Sequence, residues 1–224
     1  FKKLVGELSQ SNYDRLGFEK HDGESDEDEM VRQITLTNAL YSGNEDAVAK
    51  ASQIFDEHKD NLANIPAAVR ALVLNNQIKH HESKELTILY LETYIATTDG
   101  NFKRQIANAL SNTKDADTLA SLLAKWQDKD VVKPQDLAMS WYHTFLRNDF
   151  AQETVWNWAK ENWNWIKAAL GGDMSFDKFV IYPANIFKTS QRLDEYKAFF
   201  EPQLSDMAIS RNISMGIKEI AARV

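Results

Sequence analysis

Residues 155–170 read VWNWAKENWNWIKAAL. Four of the chain's six tryptophans fall in ten residues here, in a unit WNW repeated seven positions apart. Placed on a helix at 100° per residue, Trp156, Ala159, Trp163, Ile166 and Leu170 form one stripe. Val155, Trp158, Trp165 and Ala169 form a second stripe beside it, and Lys160, Glu161, Asn164 and Lys167 fill the remaining arc. The apolar surface covers about half the circumference, more than the roughly 100° of an ordinary surface helix. Such a segment must lie between two neighbours, as in a layered stack of helices.

The rest of the chain carries the same signal. Eight glycines and four prolines in 224 residues leave few breakers, and 43% apolar with 11% aromatic content is ample for a packed interior. Ser25 or Asp26 is expected to cap a helix that Gly43 stops. Met30, Ile34, Thr37 and Tyr41 continue along it at helical spacing. Further amphipathic stretches follow at Glu45–Lys59, from Pro66 with Val69, Leu72, Val73 and Asn76, and at Lys84–Thr97 and Asn101–Leu110. Others follow at Asp115–Trp126, Gln135–Leu146, Ser175–Tyr182, Ser190–Phe200 and roughly Ser205–Val224. Phe1–Leu8 reads as a short opening helix, with a polar break around Ser9–Arg15. No strand alternation is evident. About eleven helices at intervals of roughly 18–20 residues predict an all-α fold, an α-solenoid of paired helices of HEAT or armadillo size. No linker of low complexity interrupts residues 1–224, so they are expected to form one continuous domain.

Charge and composition narrow the function. A formal charge of −7 argues against non-specific nucleic-acid or anionic-membrane binding, which need clustered Lys and Arg. No apolar run is long enough to span a bilayer, and no tripartite leader opens the chain. The absence of cysteine removes disulfides and thiolate metal sites and is compatible with a reducing compartment. A start at Phe1 without Met, and an end at Val224 inside what reads as a continuing helix, suggest an excised piece.

Catalytic groups are hard to find. The run His80-His81-Glu82-Ser83-Lys84-Glu85 approaches a zinc-peptidase helix, but that motif needs histidines four apart on one face, and the fifth position here is Glu85. An exposed polar turn accounts for it better. His21, His58 and His143 are scattered and read as surface or cap residues. Asp22–Glu29 holds six acids in eight residues; they read as a cation site or acidic recognition tail or, more simply, as a helix start facing the positive end of the macrodipole. There is no GxSxG, P-loop or GxGxxG, and Gly171-Gly172 reads as a helix terminator. The tryptophans and their aromatic neighbours at helical spacing read as core before they read as a groove. Asn157 and Asn164 either face water or meet a partner. No catalytic or metal residue is expected within the chain.

A resemblance adds to this reading. The order of VVKPQD (Val131–Asp136), Asn148-Asp149, the Trp-rich run with Glu161-Asn162-Trp163, and FKTSQRLDEYKAFF (Phe187–Phe200) resembles the C-terminal helical domain of the aminopeptidase N family of zinc metallopeptidases. Leu16-Gly17-Phe18, Ala51–Phe55, and Ile65-Pro66 with Val69-Arg70 are weaker matches, and the closing IKEIAARV resembles bacterial members more than animal ones. The resemblance implies a cytoplasmic parent enzyme whose zinc, His-Glu-x-x-His motif and amine-binding Gly-x-Met-Glu-Asn segment sit in a preceding catalytic domain. None of these motifs occurs here. It implies for residues 1–224 a non-catalytic cap that encloses the active-site chamber and gates peptide entry, with the parent's catalytic domain as partner. Two other readings use the same residues. One is a free-standing helical-repeat scaffold that binds a peptide or protein. The other is an all-α Mg²⁺ enzyme of the isoprenoid-synthase kind, for which SDEDE at a helix start is a poor match.

Overall fold

A computed structural model describes every residue from Phe1 to Val224 and is helical throughout, without a strand. No helix is long and apolar enough to cross a membrane. The chain divides into two compact units, Phe1–Leu110 and Ser111–Val224.

The first unit comprises α1 (Lys2–Leu16), α2 (Asp26–Ser42), α3 (Glu45–His58), α4 (Ala67–His81), α5 (Lys84–Ala96) and α6 (Gly100–Leu110). Local chemistry sets its boundaries. Ser25 begins α2 with a reciprocal capping box: its hydroxyl accepts from the Asp28 N–H at 3.2 Å, and its own N–H donates to the Asp28 carboxylate at 3.0 Å. Gly43 ends α2 at φ 81°, a left-handed conformation that suits glycine. Asn44 and Ser83 cap α3 and α5 by accepting from the Ala47 and Leu86 N–H groups, each such cap contributing about 1 kcal/mol. Pro66 stands one residue outside α4, as its N-cap, rather than in its first turn. α4 is the central helix, packed against α2, α3 and α6. Its Val69, Val73, Leu74 and Ile78 are buried, and the Tyr90 hydroxyl of α5 donates to the Leu74 carbonyl at 3.0 Å.

Two expectations for this unit need correction. The polar break at Ser9–Arg15 does not exist, because α1 runs through it. Ser9, Tyr13 and Leu16 recur at helical spacing and are buried, and the Ser9 hydroxyl is satisfied by the Val5 carbonyl one turn back, at 2.8 Å. In α2, the stripe of Met30, Ile34, Thr37 and Tyr41 faces outward. The inward face is the opposite one, formed by Arg32, Thr35, Leu36 and Ala39. Arg32 is tolerated there because its guanidinium pairs with Glu24 and donates to the Leu16 carbonyl at 3.2 Å.

The second unit holds α7 (Ala116–Leu123), α8 (Pro134–Asp136), a π-helical turn (Leu137–Tyr142), α9 (His143–Leu146), α10 (Gln152–Glu161), α11 (Trp163–Leu170), α12 (Lys178–Ile186), α13 (Ser190–Phe200) and α14 (Ser210–Ala221). Segmentation is finer than the periodicity suggests. The expected Gln135–Leu146 helix passes through the π turn, and the Trp-rich helix is broken at Asn162. The break is shallow. The Asn162 carbonyl still accepts from the Ile166 N–H at 2.9 Å, so both stripes keep their register. The expected Ser175–Tyr182 helix is displaced to Lys178–Ile186, where Pro183 is tolerated inside the helix.

The two stripes enter two different aromatic clusters. Trp156 and Trp163 pack on Phe199 and Phe200, with ring centroids 5.5–5.8 Å apart; Phe187 completes the Trp156 side and Phe176 the Trp163 side. Trp158 meets Trp126 edge-on at 4.9 Å, and Trp126 in turn packs on Phe145 and Trp141. The first stripe is buried throughout; in the second, Val155 is buried while Trp158, Trp165 and Ala169 are half-buried. The segment is therefore sandwiched, as its pattern requires.

Candidate functional site

Most groups that the sequence offers for chemistry have a structural assignment. His80 and His81 close α4, Glu82 follows as its cap, and Ser83 opens α5 by accepting from the Leu86 N–H at 3.1 Å. His81 and Glu85 thus stand on different helices and do not share the single face a bidentate pair needs. The Glu85 carboxyl is held below the usual range by its own backbone N–H and the Ser83 hydroxyl. No group of three or more His, Asp or Glu side chains is placed to hold a metal ion.

A hydroxyl–imidazole pair does occur, between Ser52 Oγ and His81 Nε2 at 3.2 Å, in an open groove beside α3 that also carries Glu45, Asp56 and Glu57. Its polarity is wrong for nucleophilic catalysis. Ser52 spends its one proton on the Val48 carbonyl at 3.0 Å and accepts from Asn76 Nδ2 at 3.2 Å. With that proton on the Val48 carbonyl, His81 can meet the hydroxyl only as a donor, in the tautomer protonated at Nε2. The pair ties α3 to α4.

Three carboxylates of the acidic run at Asp22–Glu29 are held in ion pairs. Glu24 pairs with the buried Arg32, Asp28 with Arg15 at 2.7 Å, and Glu29 with Lys20 at 3.8 Å. Hydrogen bonds from Arg32 and from Arg15 hold the Glu24 and Asp28 carboxyls below the usual range. Ser25, Asp26, Asp28 and Glu29 sit at or in the first turn of α2, where their charge meets the helix N-terminus.

Of the remaining histidines, His58 lies in the last turn of α3, and His21 lies in the loop before α2 with its N–H on Glu24 at 3.1 Å. His143 differs from the surface position expected of it. It is half-buried, its ring 4.3 Å from that of Tyr182, and burial together with the Arg147 cation holds its pKa below the ordinary value.

The nearest approach to a ligand surface in the second unit is a groove of about 480 Å³ between α7 and α10. Ala120, Leu123 and the exposed part of Trp158 form its apolar floor, with Gln127, Asn157 and Glu161 at its edges. Gln127 donates to Asn162 at 2.7 Å, and Asn157 donates to Glu153 of its own helix at 3.1 Å. These groups can hold a peptide or side chain by apolar and amide contacts. Glu161 is the one ionisable side chain among the lining residues, without a second carboxylate, histidine or lysine to work with it.

Comparison with known proteins supplies what this geometry does not. Residues 1–222 match the family model described as ERAP1-like C-terminal domain. Over all 224 residues the chain is 55% identical to Aminopeptidase N of Lactococcus lactis subsp. lactis, covering 26% of that protein. It is 40% identical to Aminopeptidase N of Lactobacillus helveticus over 223 residues, again 26% of the relative. Endoplasmic reticulum aminopeptidase 2 of Bos taurus is 30% identical over 177 residues, 78% of this chain and 18% of the relative. The chain thus spans about a quarter of the length of its bacterial relatives.

Proposed function

We propose a function on the premise that this chain belongs to the ERAP1-like C-terminal domain family: it is the non-catalytic helical cap of a zinc-dependent aminopeptidase that removes N-terminal residues from peptides. The observation that carries the reading is a likeness along the whole chain, 55% over 224 residues, to a protein named Aminopeptidase N of which it matches 26%. A chain that matches a C-terminal domain and brings no ligand set of its own leaves hydrolysis to the remainder of the parent polypeptide. The zinc belongs to that catalytic portion. The residues here do not suit it, since His81 and Glu85 are separated by a helix break.

The cap's part is steric and electrostatic. Closed over the catalytic domain, the helical cap encloses the active-site chamber and admits the ends of short peptides. Opening and closing against that domain gates entry and product release. The parent works in the cytoplasm, its substrates are peptides, and the partner of residues 1–224 is its own catalytic domain.

The test is hydrolysis of aminoacyl anilides. The purified 224-residue chain is expected to show no turnover with or without added zinc, whereas the full-length parent turns over and loses activity to a chelator. Zinc-dependent hydrolysis by residues 1–224 alone would overturn the assignment.

A further inference from the structure

The outward stripe of α2 lies beside a second apolar row on α1. Phe1 at the N-cap of α1, Leu4 and Leu8 on that helix, and Met30, Ile34 and Tyr41 on α2 are between 44% and 89% exposed. They are not scattered. Met30, Ile34 and Tyr41 follow one helical face, the two helices pack on each other, and the Phe1 and Tyr41 rings approach to 6.4 Å edge-on. Between the rows, Val5, Leu8, Val31 and Ile34 line a shallow depression of about 250 Å³. Six of the fifteen large apolar side chains exposed on the whole chain lie on this one helical hairpin. An apolar face of that regularity is unusual for surface exposed to water and marks an interaction site.

We infer that the outer face of the α1–α2 hairpin is the docking surface for the part of the parent polypeptide joined to Phe1. This rests on the reading of the chain as the C-terminal piece of a longer protein. Two observations single out that occupant. The relatives are about four times as long as the match, which leaves a large body of chain to be accommodated. The match is to a C-terminal domain, so that body precedes α1, the first element of the domain, and meets the face at the high effective concentration of a short tether, which for flexible linkers is on the order of millimolar. A second copy of the chain has no such advantage, and its formal charge of −7 opposes self-association.

The chain contains no cysteine, so an introduced thiol is the only one on any peptide from residues 1–224. Leu8→Cys and Ile34→Cys, made separately, place a thiol on each row. Alkylation rates, relative to free cysteine and read by peptide mass, are compared in the isolated 224-residue chain and in the full-length parent. Both sites should react rapidly in the isolated chain at any protein concentration, and at least about tenfold more slowly in the parent. Equal rates in the two proteins would overturn the proposal. Slow labelling that appears in the isolated chain as its concentration rises would also overturn it, by making a second copy the occupant. The readout is labelling and not hydrolysis, so it fails or succeeds independently of the aminopeptidase reading.

Discussion

At Gly216 an added Cβ would stand 2.8 Å from the Ala184 Cβ and closer still to the Tyr196 hydroxyl, whose proton is committed to the Val180 carbonyl at 3.1 Å. This is where α14 approaches α12 and α13. Gly216→Ala is therefore expected to destabilise by about 1–3 kcal/mol through overpacking, read as a lower urea midpoint. Gly172, with nothing near its would-be Cβ, is the control and should be near neutral. His143 gives a second residue-level expectation. Burial against Tyr182, with Arg147 nearby, lowers its folded pKa below the ordinary value, so the folded state prefers the neutral ring. Its contribution is fully present above the unfolded pKa of about 6.5 and is lost as pH falls through the folded pKa. The wild-type urea midpoint should drop on acidification from pH 7, and His143→Gln should flatten that slope.

Among elements, the broken Trp helix is the clearest case. Trp156 is fully buried among Phe187, Phe199 and Phe200, whereas Trp158 keeps one side in the α7–α10 groove. Trp156→Ala should cost about 3–5 kcal/mol and Trp158→Ala clearly less, by the same denaturation measurement. Both stripes can be read from spacing alone, because side chains four apart share a face in any helix. The interruption at Asn162 cannot. Its amide bonds the Trp158 carbonyl at 2.8 Å and accepts from Gln127, thirty-five positions away in sequence. At α2 the legible part is the cap, and Ser25→Ala should remove about 1 kcal/mol, with α2 amides exchanging faster.

Over the whole molecule, the carboxylates respond to acid together. Hydrogen bonds hold Glu24 and Asp28 in the first unit, and Asp115 and Asp206 in the second, below the usual range. Such groups stabilise the fold above their unfolded pKa, about 4, and lose that contribution as pH falls through the folded value. In His143→Gln, which lacks the histidine's share, helicity followed by circular dichroism should hold on going from pH 7 to 5 at moderate urea and collapse by about pH 3.

The amino-acid order by itself determined that the protein is helical, that a helix capped at Ser25 or Asp26 stops at Gly43, and which family it resembles. Caps and periodicity act over three or four residues, so they are visible in any local window. The order did not determine which face of α2 is inside. Met30 and Ile34 look like core and are exposed, while Arg32 looks like surface and is buried, because Glu24 and the Leu16 carbonyl neutralise and satisfy it. Burial is a property of what packs against a helix, and those partners come from other elements. Only the tertiary structure could decide it.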